Sequence, residues 1–323
     1  MIHLNLAGTL SLCRRMERFA RALAACTEIR SLSLAAGRMD KVLVKAVSCL
    51  PRLEALDVSG TIFDDDQLEL VLSSCSRINT LIVDGCNTLT SRAIDLIAAY
   101  GGSFTALSVA NCNGSVTDYS LQKLAKSHHA RTLTRLVLRN NTHVYDYALQ
   151  IFGRFIRRLE VLDLGGCRDV TAPGLLSFLQ GIPEQSLPLT RTPCSSSLEI
   201  AHPASHFNSW ESPAGTQFTM QQYPTLRALN LTNLGSSFTR AAMHAILHAC
   251  PKLTTVMIPE HVRGNARTEV MRRCHHSGNE ASCGNSLLFQ GSSWLRRGEI
   301  ESAPRPAVLA DGGAGDDAVA MVP

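Results

Sequence analysis

The sequence predicts an α/β solenoid, in which short parallel strands, each followed by a helix, stack side by side into a curved array. Three observations carry that prediction. An apolar frame, Leu-x-x-Leu-x-Leu in its ideal form, recurs nine times in one phase; helix-spaced apolar residues fill the gaps between frames; and cysteines return at one position in successive units. Such self-similarity implies stacking, because one strand and one helix cannot bury their own apolar faces.

The frames run Met1-Leu4-Leu6, Ile29-Leu32-Leu34, Leu53-Leu56-Val58, Ile78-Leu81-Val83, Phe104-Leu107-Val109, Leu133-Leu136-Leu138, Leu159-Leu162-Leu164, Leu226-Leu229-Leu231 and Leu253-Val256-Ile258. From residue 29 to residue 159 they recur at intervals of 24, 25, 26, 29 and 26. The fourth and sixth frame positions share parity, so on an extended segment both point into a common core and the residues between them point out. Each frame is therefore a strand. The intervening segments, such as Ala93-Ile94-Ile97-Ala98 and Leu121-Leu124-Ala125, repeat their apolar residues at three and four and read as helices. Expected N-caps are Asp64 or Asp65, Ser91, Thr117 or Asp118, Asp146, Thr171 and Thr239.

Cys86, Cys112 and Cys167 stand three residues past the third frame position, with Asn141 at the same place in the unit between. A thiol is small, is readily buried and donates weakly to carbonyls left unpaired at a bend; the Asn amide does the same more strongly. These four residues are expected to form a structural ladder. A second set, Cys26, Cys49, Cys75 and Cys250, closes the helices, the last within Cys250-Pro251-Lys252-Leu253. Together with Cys167-Arg-Asp-Val-Thr171 and Val116-Thr117-Asp118, this resembles the cysteine-containing leucine-rich repeat, C-P-x-L-x-x-L-x-L-x-x-C-x-x-[IL]-T-D. The chain is similar over about 220 of its 323 residues to the repeat arrays of F-box and leucine-rich-repeat proteins. The resemblance implies a ribonuclease-inhibitor-like horseshoe with parallel strands on the concave side and helices on the convex side. It further implies a substrate-recognition or adaptor subunit of an SCF-type (cullin) ubiquitin ligase. An F-box, usually opening on Leu-Pro ahead of the repeats, is not found before the strand at Met1, so no ligase-docking residue carries over. A structural repeat subunit of a cytoskeletal or flagellar assembly is the alternative.

The expected organisation is residues 1–181 as about seven repeat units, 182–224 as a disordered Pro/Ser/Thr-rich insertion, 225–261 as the last two units, and 262–323 as a disordered tail. Lengthening one connection to about 45 residues costs roughly 2 kcal/mol of closure entropy, which a stack tolerates. In the tail seven arginines balance seven acidic residues and little can be buried.

Composition narrows the function. Hydrophobic residues make up 45% but aromatics only 5%, so the core is aliphatic. A net charge of +4 is too weak a field to favour nucleic acid or an anionic membrane, and no stretch has the length of a spanning helix. Eleven cysteines in a packing period read as reduced thiols, hence a cytoplasmic protein. No nucleophile elbow, phosphate loop, dinucleotide fingerprint or H-E-x-x-H is present, so neither an enzyme nor a cofactor is expected. His244 and His248 lack a third ligand, and Cys274-His275-His276 with Cys283 matches no standard zinc spacing. His128 and His129 read as cationic residues at a helix end. What remains is the outward face of the strands, with Asn5, Ser33, Asp57, Asp84, Arg135, Arg139, Asp163 and Asn230 as candidate contacts for a protein partner.

Overall fold

The computed structural model describes residues 2–9, 15–100, 102–180, 223 and 225–259. The insertion other than Tyr223, and the tail 262–323 with its Cys/His group, lie outside the described residues. Nine strands form one parallel sheet in chain order: β1 (Ile2–Asn5), β2 (Ile29–Ser33), β3 (Ala55–Asp57), β4 (Thr80–Ile82), β5 (Ala106–Ser108), β6 (Arg135–Val137), β7 (Val161–Asp163), β8 (Ala228–Asn230) and β9 (Thr255–Met257). Among the described residues, eight α-helices return the chain along the convex side: α1 (Met16–Ala25), α2 (Lys41–Ser48), α3 (Asp65–Ser74), α4 (Ser91–Ala99), α5 (Asp118–Lys126), α6 (Asp146–Phe155), α7 (Ala172–Gln180) and α8 (Arg240–Ala249).

The register follows the apolar frame. The fourth-position residues Leu4, Leu32, Leu56, Leu81, Leu107, Leu136, Leu162, Leu229 and Val256 face one another from strand to strand. From Leu32 to Leu229 they are all buried, as are the sixth-position residues from Leu34 to Leu231. Slipping a strand by one residue would turn this row outward, so burial locks the register. The solenoid continues across the insertion: Leu162 faces Leu229 although they are 67 positions apart in sequence.

Tyr223, which composition places in the insertion, is a core residue. Its N–H donates to Ala249 O at 2.8 Å, its hydroxyl donates to Ile156 O, and its ring lies 5.0 Å from that of Phe178. An aromatic among Pro, Ser and Thr carries no periodic signal, yet here it seals the joint between the seventh and eighth units.

After each of the first eight frames the chain turns through a left-handed residue at a single position, two past the sixth-position apolar residue. Gly8, Gly60, Gly85 and Gly166 occupy it, with Asn111, Asn140 and Asn233 where glycine is absent. Ala36 is the exception, at φ 54°. An L-residue with a Cβ pays about 1–2 kcal/mol there, while Gly loses about 0.5–1 kcal/mol through unfolded-chain entropy. Ala36→Gly is therefore expected to stabilise the protein by about 0.5–1 kcal/mol, read as a higher urea midpoint. An unchanged or lower midpoint contradicts this account.

The helix starts correct the expected caps at two places. Asp64 and Thr117 cap with reciprocal capping boxes, and Thr239 caps α8, as expected. Asp40 caps α2 by accepting from the Leu43 N–H at 2.8 Å. Thr90 rather than Ser91 caps α4, and Tyr145 rather than Asp146 precedes α6, without a side-chain cap. The aspartate in the first helical position serves the next unit instead. Asp65 accepts from the Thr90 N–H at 3.1 Å, Asp118 from Tyr145 N–H at 2.9 Å and Asp146 from Thr171 N–H at 2.8 Å. These three helix starts thus each satisfy an amide just ahead of the next helix, which gives the aspartate of the repeat's T-D pair a physical role. Burial raises the Asp118 and Asp146 carboxyls; the amides they receive pull the other way.

Candidate functional site

The concave face is built from the outward residues of the nine strands, and the structure brings the eight predicted contacts into three groups and two singles. Ser33 donates to Asp57 Oδ2 at 2.9 Å across one strand pair. Ser108 and the Ala110 N–H donate to Asp84, the latter at 2.9 Å. Asn230 donates to Asp163 Oδ1 at 2.8 Å, and Arg139 Nε stands 3.7 Å from Asp163 Oδ2. Arg135 is half-buried and forms no ion pair among the described residues. Asn5 is exposed on the first strand.

Four of these side chains share a local task. Asn5, Asp57, Asp163 and Asn230 each accept the backbone N–H two residues on, from Ala7, Ser59, Gly165 and Thr232, at 2.9–3.1 Å. This Asx turn closes the end of the strand where the chain bends away from the sheet. In three of them the bond satisfies a buried side chain, Asp57 being 6% exposed, Asp163 2% and Asn230 0%, whereas Asn5 at the open end of the sheet is exposed. Alternation along a strand foretold which way these residues point but was silent on what they bind. Burial raises the Asp163 carboxyl, opposed by the Arg139 guanidinium, the Gly165 N–H and the Asn230 amide.

Between Asp84 and Arg139 lies a patch in which Ile82, Ala106, Ala110 and Val137 pack on one another, separate from the main core. Towards β1 the face opens into a cavity of about 230 Å³ whose walls include His3, Asn5, Ser31, Ser33, Asp57 and Thr80. The surface therefore presents, in chain order, a mainly apolar cleft holding one carboxylate, a small apolar floor, and two arginines, one of them beside Asp163.

The thiol ladder runs along the opposite side of the strand ends. Cys86 donates to Val58 O at 3.2 Å, Cys112 to Val83 O at 3.2 Å, and Cys167 to Leu138 O at 3.1 Å. Asn141 fills the missing rung, donating to Val109 O and Leu138 O at 2.8 Å each and accepting the Cys112 N–H at 2.9 Å. Every rung reaches the sixth-position carbonyl of the preceding unit. Thr61 holds the same position one unit before Cys86, but its hydroxyl donates at 2.7 Å to Val58 O of its own unit, the carbonyl that Cys86 reaches from the next, so it closes its own turn without bridging units. Burial pushes the Cys86 thiol up to about 11 and those of Cys112 and Cys167 to about 12, so all three stay protonated donors at neutral pH. These cysteines are free thiols.

The predicted cation at a helix end is not one. His128 and His129 form a 3₁₀ turn, His128–Arg131, after α5. His129 is fully buried, its Nδ1 accepts the Phe104 N–H at 3.2 Å, and its ring lies 4.7 Å from that of Phe104. Burial, helped by neighbouring His128, lowers its pKa to about 4. His244 and His248 lie on α8, and no metal-binding group of three gathers among the described residues. No helix among them is long and apolar enough to cross a membrane.

Parallel strands in sequence order, Leu-lined frames and convex helices define a leucine-rich-repeat protein. Residues 4–111 match the family described as FBD-associated F-box protein At5g56370, LRR repeats. Among solved structures, a chain in the crystal structure of the Rad7 and Elc1 complex in yeast is similar with a TM-score of 0.55 and 14% identity, covering 76% of this chain and 55% of that one. A chain of the TLR13–ssRNA13 complex gives a TM-score of 0.44 at 14% identity, covering 80% of this chain and 32% of that one. Human 5T4 (Wnt-activated inhibitory factor 1, trophoblast glycoprotein) gives 0.40 at 12%, covering 72% and 71%. The chain thus spans about half the length of the Rad7–Elc1 chain and about a third of the TLR13 chain. No curated protein sequence matches it.

Proposed function

We propose that this protein is a cytoplasmic adaptor that holds a protein partner on its concave sheet and serves a cullin-based SCF-type ubiquitin ligase as a substrate-recognition or adaptor subunit. The observation that carries this reading is the match of residues 4–111, the first units of the array, to the repeats of an F-box-associated protein. The continuous nine-strand face supports it, since an extended concave sheet is the surface such solenoids use for binding. The protein acts by binding rather than by catalysis, and its buried, protonated thiols suit a reducing compartment. Affinity purification of the full chain after cross-linking in cells, read by mass spectrometry, is expected to recover cullin and its adaptor subunits. Recovery of tubulin, dynein or axonemal proteins instead overturns the ligase reading in favour of a structural repeat subunit.

A further inference from the structure

Resting on the concave-face reading, we propose that the cleft over β1–β4 receives a single lysine or arginine side chain of the bound partner. Its volume, about 230 Å³, lies below the roughly 300–1,000 Å³ of sites that enclose a small molecule. A space of that size on a sheet suits one long side chain entering from an extended segment. Among the described residues, Asp57 is the one carboxylate in its wall, and no lysine or arginine lines it. The carboxylate is held in place: Ser33 donates to Oδ2, and the Ser59 N–H and hydroxyl to Oδ1. A negative charge fixed in a recess whose walls are mainly apolar focuses its field into the opening and selects a positive group. Ile82 supplies an apolar wall for the methylene stem that both cationic side chains carry. Farther along the same face Arg135, which forms no ion pair among the described residues, carries the opposite sign, so a basic residue of the partner is favoured at the cleft end.

The test is selection of a phage-displayed random dodecapeptide library on the full chain, followed by affinity measurements on the peptides it yields. The expected result is a fixed Lys or Arg position among the selected peptides, with affinity falling about tenfold or more in Asp57→Asn. Thr80→Arg, which fills the cleft with a cation and leaves Asp57, Ser33 and Ser59 in place, is expected to produce the same loss and guards against a folding defect in the first variant. Val137→Trp obstructs the centre of the concave face outside the cleft. If it abolishes binding while the peptides show no basic position and both cleft variants bind as wild type, the cation proposal is overturned and the concave reading stands. If all three variants bind as wild type, both fall. Selection that yields no binding peptide overturns the proposal as well.

Discussion

Replacing Asn141 by leucine is expected to destabilise the protein by about 4 kcal/mol, the largest single effect among the ladder residues. Asn141 is fully buried and holds three backbone groups at once: Val109 C=O, Leu138 C=O and Cys112 N–H. Leucine matches its volume but offers no polar atom, so Val109 C=O and Cys112 N–H lose their partner in a place water cannot reach, at about 1–3 kcal/mol each, while Leu138 C=O keeps the Cys167 thiol. Asn141→Cys restores the thiol found in the neighbouring units and keeps one donor, so its expected cost is about half as large. Guanidinium unfolding of the two variants measures the difference. A loss under about 1 kcal/mol for the leucine variant would mean that the rungs fill space without bonding the units together.

The second large effect is on pH. His129 titrates near 4 in the folded protein and near 6.5 when unfolded, because burial disfavours the imidazolium. Above about pH 6.5 both states are neutral and the contribution to stability is complete. Between 6.5 and 4 the unfolded chain takes up the proton and the folded one does not, so stability falls with pH and reaches a loss of about 3 kcal/mol near pH 4. Neighbouring His128 lowers it further, while the carbonyls of Ile97 and Tyr100 favour the proton and offset part of the burial. The buried carboxyls of Asp118, Asp146 and Asp163 are raised and act with the opposite sign as they protonate. The difference between wild type and His129→Gln isolates the imidazole. Unfolding midpoints of the two proteins should diverge as pH drops below 6.5. Parallel pH profiles would show that His129 is not the group responsible.

The strands and the thiol positions were legible because both repeat with the unit, and a repeated pattern survives substitutions at single places. The same count finds Thr61, whose hydroxyl bonds from within its own unit the Val58 carbonyl that the Cys86 thiol reaches from the next. The left-handed turn was equally readable from Gly8, Gly60, Gly85, Asn111, Asn140 and Gly166, but only when Gly and Asn are treated as one conformational class. His129 was misread because its neighbourhood in sequence is a helix end, whereas its neighbourhood in space is Phe104 from the preceding strand segment. The concave side was legible in direction only. Asp57, Asp163 and Asn230 do face outward, yet each first serves the chain's own turn, and a pattern of alternating residues contains no information about such a bond. The cleft beside Asp57 had no sequence signal, since it arises from four strands that meet only after stacking.

The meeting of β7 and β8 changes what continuity means for this molecule. The final two units are held by paired amides and carbonyls, by α7 packed on α8, and by Tyr223 keyed into the carbonyl of Ile156. None of these bonds runs through the polypeptide joining Gln180 to Tyr223. At that point the array is an assembly of two pieces docked through their own strands and helices, and chain length between them can change at a closure cost that grows only slowly with the number of residues.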